Sequence, residues 1–420
     1  MTRLAHNDGY RRFWAASAVS VFGTHVTTIA LQILVVEGLR ATTTQYGLVS
    51  SAQWLPYLLF GLVAGVLIDR HRRRPVLVWA DLGRGLVLAA IPLLYLGDAL
   101  SLPTLAGLLF CFGLLSVLFD TAEQAYLPRL VPRELLTPAN ARLQLTMNLA
   151  QTAGPALGGV LIRVVTAPIA IVVDAVSYLV SALLLATIRT PEPAPQPAGR
   201  RDLRHELREG LTYVYGHRLL RAHAVNGHLW FLVHSALATV LTFYVVEGSQ
   251  LGLGAFGLGL VYAAGGVGAV LGNTLSSKLS ARLGAGRTMV LCAMAKAVPW
   301  LLVVFARPGP AALPMVALGL FGFWLLLGVC GPVEMGWRQS ITPDALQARM
   351  GGTIRSVNRA AIVVGAPLGG LLADHTSHRL ALWAGIVGLA VTGCYAYCSP
   401  LRGASFADAP PESLPVSPRR

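Results

Sequence analysis

The chain has 420 residues, 55% of them hydrophobic and only 12% charged, with a formal net charge of +14. A soluble domain carries about 25% charged residues. At half that value the chain cannot cover a water-facing surface, so soluble globular and disordered classes are excluded and a polytopic membrane protein is expected.

Apolar windows long enough to cross a hydrocarbon core, about 20 residues, fall at roughly 13–36, 47–68, 76–96, 103–124, 144–163 and 168–188. A second set follows at roughly 222–246, 256–278, 287–306, 312–335, 353–373 and 379–398. The first window follows Arg11 and Arg12 but is too long for a signal h-region. Ala16-Ser17-Ala18 lies at its start rather than its end, so the window reads as a span and not a cleaved leader. The expected fold is an all-α membrane protein of twelve transmembrane helices in two pseudo-symmetric six-helix bundles.

Charge placement orients the chain. Of the 33 Lys and Arg, 26 fall in the terminal segments and alternate loops, and four (Arg40, Arg163, Arg307 and Arg379) fall in the other loops. Arg84, Lys296 and Arg359 fall within spans. The positive-inside rule then puts both termini in the cytoplasm of a multi-pass protein of the cell inner membrane. The excess charge is a topological signal that faces the bilayer surface, not a nucleic-acid footprint.

Residues 1–190 form the expected first bundle and 221–400 the second. Residues 191–220 are a cytoplasmic linker: Pro191 to Pro197 should be extended, and Asp202 should cap a helix with Leu203, Leu207, Leu211 and Val214 on one face. That face should lie on the membrane or pack on the bundle. The tail, 401–420, is rich in Ala, Pro and Ser and reads as disordered.

The two halves repeat at an offset of about 211 residues. Glu123 maps to Glu334, Pro132 to Pro343, and Gly158-Gly159 to Gly369-Gly370. Parallel duplication of a six-span unit implies a pseudo-twofold axis along the membrane normal. Two halves rocking about a central cavity form a transporter design. No nucleophile–base pair, nucleotide-binding loop or metal cluster appears in the sequence, which argues against a membrane enzyme or sensor. The five cysteines lie in apolar stretches without a CxxC, as buried apolar residues do.

Between the second and third windows the chain carries Gly65, Asp69, Arg70, Arg73 and Arg74. A small residue permits close helix approach, a span-end carboxylate can meet an Arg or a helix N-terminus, and the arginines hold the loop at the anionic leaflet. The fifth window carries Gly154-Pro155 and Gly158-Gly159. Together these segments resemble the major facilitator superfamily, in the branch that exports macrolide-type drugs and siderophores. Gly65 to Arg74 are similar to its cytoplasmic gating motif, with Arg72 where a second Gly is usual. The fifth window is similar to its antiporter motif, with Ala150 at an upstream Gly.

The resemblance implies export of small, amphipathic organic molecules by proton antiport and alternating access, from a monomer needing no cofactor but the proton gradient. An importer or uniporter of a small nutrient is the alternative on the same fold. The superfamily's span-four arginine is missing, since Phe110 to Gln124 hold no basic residue.

Ionisable residues inside a membrane are costly and therefore candidates for function. His25 and His234 fall near mid-span, where imidazole can couple protons or contact substrate, or serve as a hydrogen-bonded structural residue. Asp120, Glu123 and Glu334 fall toward the inner ends of the fourth and tenth spans, where they can attract cations or carry protons, or pair with Arg129 or Arg338. Arg359 can balance a cavity carboxylate or anchor a helix end. Arg84 and Lys296, on spans expected to be outermost, read as snorkelling residues or, for Arg84, as a partner of Asp81. Asp174 reads as structural, hydrogen-bonded to a neighbouring helix. Trp54, Phe112, Phe119, Trp230, Phe231, Phe323 and Trp324 can form an apolar binding wall, or pack the core and meet lipid; if the cavity is aromatic and mildly acidic, large amphipathic or cationic compounds fit best.

Overall fold

The computed structural model describes residues 4, 7–69, 71–190, 192 and 203–406. Helix α1 runs Asp8–Ile33, opened by Asn7, whose side chain accepts from the Tyr10 N–H, and it ends in a π-helical turn over Leu34–Gly38. Next come α2 (Thr43–Asp69), α3 (Arg73–Leu96), α4 (Leu102–Leu130), α5 (Leu136–Val165) and α6 (Ala167–Ala186). The second half has a short α7 (Leu203–Gly216), then α8 (Arg218–Val246), α9 (Gly254–Leu283), α10 (Ala285–Ala295), α11 (Val298–Phe305), α12 (Ala312–Ser340), α13 (Asp344–His375) and α14 (His378–Cys398).

Ten of these segments are long and apolar enough to cross a bilayer, α10 and α11 counting together as one. Helices α2 and α5, of 27 and 30 residues, complete the two sets of six. The α10–α11 span breaks at Lys296-Ala297, where Pro299 lies in the first turn of α11; proline has no N–H to continue the ladder. Arg70 lies outside the described residues, as do the Pro193–Pro197 stretch, Asp202 and the tail beyond Phe406.

The surface helix α7 packs on the bundle. Val214 is buried, Tyr213 donates to the Ile341 carbonyl at 3.1 Å, and Arg349 pairs with Glu209 at 2.6 Å. Leu211, on the same expected face, is 39% exposed, as the membrane-facing alternative allows, while Gly210 and Val214 form the contact ridge. The side chains of Leu203 and Leu207 are outside the description.

The halves meet along two antiparallel helix pairs, α2 with α13 and α5 with α9. Helix α1 begins and α14 ends at one end of the bundle, which also carries most of the basic residues; at the opposite end the pairs close tightly. A Cβ on Gly47 would lie 2.6 Å from the Ala366 carbonyl oxygen, one on Gly159 would lie 2.9 Å from the Ala255 oxygen, and one on Gly259 would lie 2.5 Å from the Pro155 oxygen. Glycine lets the backbones touch. Asp374, near the end of α13, accepts from the first two N–H groups of α2, Thr43 at 3.1 Å and Thr44 at 2.8 Å. That carboxylate satisfies donors that a helix start leaves unpaired. Toward the basic end α2 stands clear of α13, and none of the described residues lies within 4 Å of a Cβ built on Gly61 or Gly65.

Candidate functional site

Two cavities occupy the space opened between the halves. The first, about 290 Å³, lies between α2, α4 and α13 and is lined by Tyr57, Asp120, Arg355 and Arg359 among others. Tyr57 donates to Asp120 at 2.7 Å. Arg359, from the opposite half, lies with its guanidinium carbon 4.1 Å from the Trp54 ring and 5.2 Å from the Tyr57 ring. A cation over an aromatic face is attracted by the ring quadrupole, so Arg359 ties the halves together at mid-span and is not a helix-end anchor.

The second cavity, about 450 Å³, lies mainly among helices of the second half. Trp230, Phe231, Trp324, Lys296, Glu334, Arg338 and Arg355 line it, and Arg355 is shared with the first. Glu334 accepts a hydrogen bond from the Cys330 thiol at 2.9 Å. Neither Glu334 with Arg338 nor Glu123 with Arg129 forms an ion pair among the described residues; both carboxylates face the interior rather than the loops.

This cavity corrects two expectations. Lys296 does not snorkel to lipid: it is 6% exposed and faces the cavity, because the helix break turns it inward. The wall is also not mildly acidic, since Lys296, Arg338 and Arg355 outnumber Glu334. The acidic reading describes the first half, where Asp81, Asp120, Glu123 and Asp174 surround Arg84 within mutual electrostatic range. There Arg84 pairs with Asp81, whose other oxygen accepts from Ser181 at 2.6 Å. Its guanidinium also stacks over Phe119 of α4 at 3.9 Å and Tyr178 of α6 at 4.5 Å. An arginine from the third span thus reaches the face of the fourth span that has none of its own.

The histidines differ in setting. His234 is stacked on Trp230, centroids 4.8 Å apart, and on Phe323 at 5.4 Å, with its Nδ1 unpartnered among the described residues. His25 packs against the antiporter-like segment: a Cβ on Gly154 would lie 2.5 Å from the His25 Cβ. Neither ring lines the two cavities.

Of the aromatic wall, Trp230, Phe231 and Trp324 reach the larger cavity, while Phe119 and Phe323 are core packing. Trp54 and Phe112 line a third chamber of about 220 Å³, mainly apolar, together with Thr24, Thr27 and Asp174. Asp174 is fully buried; one oxygen accepts from Ser177 on its own helix at 2.8 Å and the other has no partner among the described residues. Thr27 and Gly23 of α1 lie beside the carboxylate, so Asp174 faces a neighbouring helix, as expected. A lone carboxylate in the middle of the sixth span was the signal for a chamber there.

In the loop segment, Asp69 ends α2, though its side chain is outside the description. Arg73 and Arg74 open α3, and their backbone N–H groups both donate to Glu192 at 2.8 Å. The Arg74 side chain donates to the Leu185 carbonyl at 3.1 Å and to that of Ala186. A residue of the linker thus caps the helix that the basic loop leads into.

Residues 4–418 match the transmembrane secretion effector family. The chain is 27% identical over 388 residues to the multidrug efflux pump Tap of Mycobacterium tuberculosis (strain ATCC 25618 / H37Rv), covering 90% of this chain and 88% of that one. It is 25% identical over 225 residues to macrolide efflux protein A of Streptococcus pyogenes, covering 53% and 55%. Among solved structures it superposes on a bacterial homologue of the iron transporter ferroportin in an inward-facing state. That match has a TM-score of 0.74 at 16% identity and covers 93% of this chain and 98% of the other; it speaks for the shared fold.

Proposed function

The chain belongs to the transmembrane secretion effector family, and from that premise we propose that it exports small organic molecules by proton antiport through alternating access. The observation that carries this reading is the geometry of the two halves. They are sealed at one end by the glycine contacts of α2–α13 and α5–α9 and separated by charged, aromatic cavities toward the other. Breaking the Asp374 cap and closing the Gly61–Gly65 face would present the same cavities to the opposite side. The basic end is the cytoplasmic one in this reading, because 26 of the 33 cationic residues belong to it.

Proton coupling is assigned to the interior ionisable groups, with Asp120, Glu123, Glu334, His25 and His234 as carriers and Arg359 as the charge that answers Asp120 across the halves. Efflux of an amphipathic drug from proteoliposomes should require an imposed pH gradient and stop when an ionophore collapses it. Efflux indifferent to the gradient would refute antiport. Equal exchange in both directions without any gradient would mark a uniporter.

A further inference from the structure

Lys296 stands out in the larger cavity. It is nine-tenths buried at the break between α10 and α11, and its Nζ lies 5.5 Å from the centre of the Trp230 ring. No carboxylate of the described residues lies within 4 Å of it. Arg338 and Arg355, on the same wall, have no carboxylate partner among the described residues either, and Glu334 is the single acid there. Glu334 lies within electrostatic range of both Lys296 and Arg338, so one carboxylate faces two cations, and an ammonium taken out of water without a full counter-charge costs several kcal/mol. A cation–π contact recovers only part of that.

The internal repeat supplies the control. Arg84 occupies nearly the matching place in the first half, and Asp81, one turn earlier, neutralises it. The position 211 residues after Asp81 is Cys292, one turn before Lys296. The second half has kept the buried cation and has a cysteine where the first half has its ion-pairing carboxylate.

We propose that the cavity takes its missing anion from the substrate. The ligand class is an aromatic organic anion whose carboxylate, or another ionised oxygen, meets Lys296 while its rings lie against Trp230 and Trp324. Arg355, exposed at the junction with the first cavity, draws the anion in from the open end. A cavity of about 450 Å³ is within the range that holds a drug-sized molecule. This inference rests on the export reading for its biological sense, but binding can be tested without transport.

The test is calorimetric titration of the detergent-purified full chain with three probes of one shape: 1-naphthoate, 1-naphthylmethylammonium and neutral 1-naphthylmethanol. Naphthoate should bind best. Lys296→Gln should weaken naphthoate about tenfold or more, the worth of a charge-assisted contact, and leave naphthylmethanol unchanged. Lys296→Arg should retain most of the affinity. Cys292→Asp supplies a carboxylate one turn before Lys296 and should give the same selective loss; a variant that keeps a cooperative unfolding transition and its naphthylmethanol affinity keeps the test valid if Lys296→Gln folds poorly. Tighter binding of the ammonium probe, or naphthoate affinity indifferent to Lys296→Gln and Cys292→Asp, would overturn the anion site. Naphthoate that binds as expected but is not moved by proteoliposomes would support the site and count against export.

Discussion

Arg84 and Lys296 are buried cations at nearly equivalent places of a duplicated unit, and only the first has an ion-pairing carboxylate on its own helix. Arg84 has Asp81 on its own helix, Ser181 behind that carboxylate, and Phe119 and Tyr178 on the faces of the guanidinium. Lys296 has Trp230 and a cavity. The first charge is spent on holding helices α3, α4 and α6 together. The second is left able to meet something that comes and goes. The difference extends to whole halves: away from helix ends, the first half's spans carry Asp81, Asp120, Glu123 and Asp174, and the second half's carry Glu334 alone. Duplication preserved the backbone, and substitution divided the electrostatic roles.

The largest expected effect falls on the self-neutralised site. Asp81→Ala leaves Arg84 buried without a partner and should cost about 3–5 kcal/mol, read as a lower unfolding temperature in detergent. Lys296→Ala removes a cation that has no partner and should cost far less; equal losses at the two sites would erase the contrast drawn here. Next is the seal between the halves. Gly259→Val places atoms against the Pro155 carbonyl, and such overpacking costs about 1–3 kcal/mol. Each half should still fold, while the closed end opens and transport falls by about tenfold to a hundredfold, measured as initial efflux rate.

A smaller effect is expected at the cap across the halves. Asp374→Asn weakens two charge-assisted bonds to α2 by about 1 kcal/mol in total. Hydrogen exchange of the Thr43 and Thr44 amides should quicken severalfold, and an unchanged rate would show that the glycine contacts alone hold that end. The smallest is Glu192→Gln, which removes a charge from the start of α3 and should shift stability by about 0.3–1 kcal/mol, visible only as a slight change in unfolding temperature.

Much of the fold was legible because the bilayer imposes coarse rules. Twenty apolar residues make a span, and a basic loop chooses a side. The repeat of Glu123 in Glu334 and of Gly158-Gly159 in Gly369-Gly370 announced two related bundles. The interior site was less legible. Lys296 was expected at lipid because its span is counted among the outer ones; the break beside Pro299 redirects it, and periodicity does not encode that rotation. His234 satisfied the pattern of a mid-span titratable group, yet it lies in an aromatic stack with Trp230 and Phe323. Asp174 meets α1 at Thr27 and Gly23, as a structural carboxylate does, and also borders a chamber that the sequence did not announce.

Composition, span length and charge asymmetry by themselves determined the class, the helix count and the duplicated plan, because each depends on sums over many residues that no single contact can reverse. Tertiary structure alone decided which charges are already answered and which are not. Asp81 answers Arg84, Tyr57 holds Asp120, Arg359 reaches across to Trp54, and Lys296 faces a cavity beside Trp230 with no ion-pair partner among the described residues. Those outcomes depend on helix rotation and on neighbours hundreds of positions away. In a low-dielectric interior a shift of a few ångströms separates a neutral pair from a site that needs a ligand.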